Sequence, residues 1–121
     1  MSLAWGYLLL CGTLCSRNMK IEHVALYVLD LEAAREFFIR YLGATSGNLY
    51  HNPRTGFSSY FLSFEQGARL EIMHRADAVA APKPEFRTGY AHIAFSVGSK
   101  QRVDDLSTEL SAAGFTVLSG P

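Results

Sequence analysis

From residue 20 onward the apolar positions change period in an orderly way. Lys20 to Leu29 is β-branched, aromatic or aliphatic and reads as a strand buried on both faces, with Ile21, His23, Ala25 and Tyr27 sharing one side. Helical spacing takes over next, with Leu31, Ala34, Phe38 and Tyr41 as the buried stripe and Glu32, Arg35, Glu36 and Arg40 left for water. Asp30 predicts the N-cap and Gly43 a left-handed end. Ala44 to Tyr50 then reads as a strand, His51 to Gly56 as a loop, Phe57 to Phe64 as a stronger strand, and Gln66-Gly67 as a turn into a strand over Ala68 to His74. The first unit is therefore β-α-β-β-β, spanning 19–74.

Residues 75–88 hold Pro82, Pro84, several alanines and mixed charges, and predict a joining loop long enough to act as a lid. After it, Gly89-Tyr-Ala-His-Ile-Ala-Phe-Ser-Val97 repeats the pattern of Lys20-Ile-Glu-His-Val-Ala-Leu-Tyr-Val28. Ser99 predicts a second N-cap, Val103, Leu106, Leu110 and Ala113 fall in helical register, Gly114 ends that helix, and Phe115 to Ser119 begins a strand. His92 follows His23 by 69 residues and Gly114 follows Gly43 by 71, so the two units superpose with a small insertion. On that offset the last two strands of the second unit would fall at roughly 128–135 and 139–145. The expectation is one α+β domain over 19–121, with 89–121 forming a truncated second βαβββ module whose exposed sheet edge favours a homodimer.

Composition narrows the partners. The 121 residues, 49% of them apolar, suffice for one core, and 11 basic residues balance 11 acidic ones with no basic patch, which argues against nucleic acid. Cys11 and Cys15 are the two cysteines and both lie in the first eighteen residues. The body of the domain is thus thiol-free, with no disulfide framework to build, and the Cys-x-x-x-Cys pair has no second ligand pair to make a zinc site. Residues 1–18 form an apolar leader outside the expected core domain. Its basic residues follow the apolar run, unlike a secretory signal, and the run is shorter than the roughly 20 residues of a membrane span. It reads as upstream sequence ahead of Met19, against the alternative of a membrane-proximal anchor or extra strand. The expected location is cytoplasmic.

The chemistry concentrates on three side chains. His23 and His92 occupy matching positions in matching strands, and neutral imidazole suits a divalent ion such as nickel, zinc or iron. Glu71, with Leu70 and Ile72 beside it pointing the other way, is a carboxylate in mid-strand that needs solvent or a partner. His51 and His74 read as surface residues. Arg54, Arg69, Arg75 and Arg87 are candidates to hold a substrate carboxylate or phosphate, with Arg69 alternatively pairing with Glu71 on its own face.

This set of strand-His23, helix, Leu42-Gly43, a later strand with Glu71, then strand-His92 and helix closely resembles the vicinal oxygen chelate superfamily, which includes glyoxalase I, bleomycin-binding proteins and extradiol dioxygenases. The resemblance covers Met19 to Pro121. By position it implies His23, Glu71 and His92 as metal ligands, with a fourth carboxylate expected in the last strand of the second unit. It further implies a glyoxalase I-like lyase or isomerase, in which the metal stabilises an enediolate of a small vicinal-oxygen substrate or thiol adduct and Glu71 is the candidate catalytic carboxylate. The alternatives are a metal-free, bleomycin-resistance-like binding protein and an iron-dependent dioxygenase.

Overall fold

The structure, a computed structural model, describes residues 20–80, 89 and 91–118, which divide into two compact units between Ala91 and His92. The expectations for residues 1–18, for 81–88 of the joining loop with Arg87, and for Ser119 onward lie outside the described residues. The fold is α+β, and the described residues form a five-stranded sheet and two helices.

In the first unit, β1 (His23–Tyr27) leads into α1 (Leu31–Leu42), followed by β2 (Thr45–Ser46), β3 (Tyr50–Asn52), β4 (Phe57–Ser63) and β5 (Arg69–His74). Asp30 caps α1 by accepting a hydrogen bond from the Ala33 amide at 2.9 Å, a contact worth about 1 kcal/mol. Gly43 stops the helix at φ 65°, a left-handed conformation that costs a side-chain-bearing residue more than glycine.

The strand order is β1-β5-β4-β2, with β3 also on β4. β1 runs parallel to β5, pairing His23 with Arg69 and Ala25 with Glu71, and β5 runs antiparallel to β4, pairing Glu71 with Phe61 and Ile72 with Tyr60. These registers sort the side chains onto two faces. One carries Tyr60, Leu62, Leu70 and Ile72, which with Ala44 form the buried core, and Val24, Leu26, Leu31, Ala34 and Phe38 pack against it. The other carries His23, Ala25, Tyr27, Phe61, Arg69 and Glu71.

At the helix side of the core, the Tyr60 hydroxyl donates to Glu32 Oε1 at 2.6 Å and the Arg35 guanidinium lies 5.0 Å from the Tyr60 ring centre. That hydrogen bond to a carboxylate raises the phenol pKa above its ordinary value, with partial burial acting in the same direction.

Three expectations change. β1 is covered on one face only: Val24 and Leu26 pack against the core, while Ala25 is exposed and Tyr27 is 57% exposed. The strand expected over Ala44 to Tyr50 is two short strands sharing the free edge of β4, because Gly47 to Leu49 leave the ladder after the Gly47 amide bonds Phe61 O at 2.8 Å. His51 consequently belongs to β3 rather than to the loop, and its Nδ1 meets Ser58 Oγ across the ladder at 2.8 Å.

In the second unit, α2 (Lys100–Ala112) begins where expected, with Ser99 Oγ accepting from the Arg102 amide at 3.1 Å and Leu106 buried. Ala91 to Val97 and Phe115 to Val117, expected as strands, have no regular structure. A strand exists only through its ladder, and among the described residues neither stretch has a ladder partner. No helix among the described residues is long and apolar enough to cross a membrane.

Candidate functional site

The face of the sheet opposite α1 holds the chemistry. β5 is the middle strand between β1 and β4, so its odd-numbered residues stand between the odd-numbered residues of both neighbours. Because β1 and β5 are parallel, His23 begins its strand beside Arg69, and Glu71 projects one pleat further along, between Ala25 and Phe61. His23 Nε2 lies 3.9 Å from Glu71 Oε2, with the two side chains 20% and 15% exposed. Two of the three residues singled out in the sequence therefore face each other within the first unit. His92 belongs to the second unit, on the stretch without regular structure.

Around this pair the sheet supplies one aromatic ring and one more ion pair. The Phe61 ring meets His23 edge-on, with centroids 5.3 Å apart and planes at 87°. On the same ring the Arg69 guanidinium lies 4.2 Å from the centroid, a cation–π contact. Arg69 pairs with Glu22, not with Glu71: its Nε donates to Glu22 Oε1 at 2.7 Å. The register explains the correction, since Arg69 lies opposite His23 and its own amide bonds Glu22 O at 2.9 Å, bringing the guanidinium to Glu22. Glu22 Oε2 in turn hydrogen-bonds His23 Nδ1. The bond from His23 draws the Glu22 carboxyl below its ordinary pKa, and Arg69 acts in the same direction against a desolvation cost.

Two of the other sequence candidates, Arg75 and His74, are engaged elsewhere. Arg75 forms a bidentate pair with Asp77, at 2.8 and 2.9 Å. His74 lies on the core side of β5, and its Nδ1–H donates to Val28 O at 3.1 Å. Arg54 sits in the turn after β3, where its amide bonds Asn52 Oδ1 at 3.0 Å.

Glu22 is the residue that sequence reasoning missed. Its signal was an acidic side chain immediately before the strand histidine in an otherwise apolar run, with an arginine available in the neighbouring strand.

The donor chemistry suits a divalent cation. Bonds of about 2.0–2.2 Å to imidazole nitrogen and carboxylate oxygen place two ligand atoms of one ion about 3–3.4 Å apart. The 3.9 Å between Nε2 and Oε2 is within a small side-chain rotation of that spacing. Among the described residues no three His, Cys, Asp or Glu side chains come together as a metal cluster, and His23 and Glu71 are the two sequence candidates that face each other.

Comparisons with known proteins agree with this architecture. A possible glyoxalase from Bacillus cereus, of known structure, is 32% identical, with 83% of this chain and 79% of that chain covered at a TM-score of 0.62. An uncharacterised Bacillus subtilis protein, YqjT, is 30% identical over 105 residues, covering 81% of this chain and 74% of its own. The trypanothione-dependent glyoxalase I of Leishmania major shares the fold at a TM-score of 0.66 and 20% identity, over 80% of this chain and 68% of that one. The family model for the Glyoxalase/Bleomycin resistance protein/Dioxygenase superfamily matches residues 20–121, which include the whole of the sheet that carries His23 and Glu71, and the chain belongs to that superfamily.

Proposed function

We propose that the protein is a metal-dependent, glyoxalase I-like lyase or isomerase acting on a small vicinal-oxygen substrate, such as the thiol adduct of a vicinal dicarbonyl compound. The observation that carries this reading is His23 Nε2 facing Glu71 Oε2 at 3.9 Å on the side of the sheet away from α1. His23, Glu71 and His92 would hold the ion, which is nickel, zinc or iron by donor type. When bound, the ion supplies positive charge beside the oxygens on which negative charge develops as a neighbouring carbon loses its proton.

The remaining work falls to the chain. Glu71 takes the proton from that carbon and returns it to the adjacent one, leaving the substrate's oxidation level unchanged. Phe61, opposite Glu71 in the ladder, presents an apolar wall that limits water at the carboxylate.

Metal analysis of the purified protein, followed by turnover assays on thiol adducts of small vicinal dicarbonyls, tests the reading. Bound divalent metal and metal-dependent turnover are expected, and His23→Ala and His92→Ala should each lose both. Ligand binding that is unchanged in metal-free protein and in both variants, with no turnover, would instead establish a binding protein of the bleomycin-resistance type.

We read the working form as a cytoplasmic homodimer. Members of the superfamily bind small molecules and often form dimers. Light scattering should give about twice the 13.4 kDa chain mass, and a monomer at working concentration would refute the assembly.

A further inference from the structure

A histidine can ligate a metal only through a nitrogen that carries no proton, so the tautomer of His23 decides whether Nε2 is available to an ion beside Glu71. In free side chains the neutral imidazole favours the opposite form, with the proton on Nε2. The structure contains a device that reverses this preference. Glu22 Oε2 meets Nδ1, and a carboxylate can only accept, so the proton of that bond sits on Nδ1. Glu22 is itself held in place, because Arg69 Nε donates to its other oxygen at 2.7 Å while the guanidinium lies 4.2 Å from the centre of the Phe61 ring. The edge of His23 rests against the same ring, with centroids 5.3 Å apart. Ring, guanidinium, carboxylate and imidazole thus brace one another in a closed circuit.

We propose that Glu22, anchored by Arg69 on Phe61, is a positioning residue that fixes His23 as its Nδ1–H tautomer and points the free Nε2 lone pair toward Glu71, priming the pair for a divalent cation. The consequence for metal binding rests on the function proposed above; the tautomer itself does not. Carboxylates that orient a ligating imidazole in this way typically change metal affinity 10–100-fold when removed. The repeat adds an internal contrast. The residue before His92 is Ala91, so the second histidine has no neighbouring carboxylate of this kind in the sequence.

The test compares wild type, Glu22→Ala and Glu22→Gln as full-length, metal-free protein, using long-range proton–nitrogen NMR of the imidazoles at a pH where they are neutral. Zinc and nickel titrations by calorimetry follow. Wild type should show His23 with its proton on Nδ1. Glu22→Ala should move that proton toward Nε2 and weaken metal binding by about 10–100-fold, leaving the His92 signals in place. Glu22→Gln, whose amide oxygen can still accept from Nδ1, should keep the tautomer and most of the affinity, which separates positioning from a general folding defect. An Nδ1–H tautomer that survives in Glu22→Ala would overturn the proposal, whatever happens to the affinity. If wild type binds neither metal, the metal-enzyme reading fails while the NMR comparison still judges Glu22.

Discussion

Ile72→Ala is expected to cost the fold about 2–5 kcal/mol, measured by chemical denaturation of the metal-free protein. Ile72 is 0% exposed, and its strand is flanked on both sides by ladders, with Leu26 opposite it in β1 and Tyr60 opposite it in β4. Neighbours held by two ladders have little freedom to move into the space that a lost side chain leaves, so the cavity persists and its cost adds to the lost burial. Leu62, also at 0%, should behave alike. For a stability of the usual 5–15 kcal/mol this is a large share of the total. A loss below about 1 kcal/mol would show that the α1 side of the sheet is not the core. Because Glu71 is the adjoining residue on the opposite face of β5, the same variant should loosen the candidate site as well.

Most of the first unit was legible because its signals are local. The caps at Asp30 and Gly43, the stripe of Leu31, Ala34, Phe38 and Tyr41, and the alternation from Ala68 to His74 each depend on a few neighbouring residues, and the structure contains all of them. What the sequence did not reveal depends on pairing between strands. Ala25 and Tyr27 fit a buried strand face in composition as Val24 and Leu26 do, and only the packing of the core decides which side of β1 is covered. Arg69 and Glu71 share a face, which suggested a salt bridge, but the parallel register with β1 brings Arg69 to Glu22 instead. Ala91 to Val97 has the composition of a strand, yet composition makes a strand only where a partner supplies the other half of each hydrogen bond. Of the site, the residue types at His23 and Glu71 could be read in advance, and the role of Glu22 required the fold.

Glu71→Met is expected to act in opposite directions on stability and on metal binding. The Glu71 side chain is only 15% exposed, and among the described residues no hydrogen bond reaches its carboxylate. His23 Nε2 lies 3.9 Å from it, the nitrogen left without a proton when Nδ1 donates to Glu22. A largely desolvated carboxylate with no donor is a standing cost to the metal-free protein, and a methionine of similar length, beside Phe61 and Ala25, removes it. The expected gain is about 0.5–2 kcal/mol in the presence of a chelator. A divalent ion present at 100 times its dissociation constant should stabilise wild type by about 2.7 kcal/mol, and the variant should show almost none of this. Thermal melts of both proteins with and without nickel or zinc read the two effects together. A variant less stable than wild type in chelator would mean that Glu71 already has a structural partner, and its place on the open face would then owe nothing to a metal. Opposite signs would identify a residue kept at the expense of the fold, which is the mark expected of a side chain retained for chemistry rather than for packing.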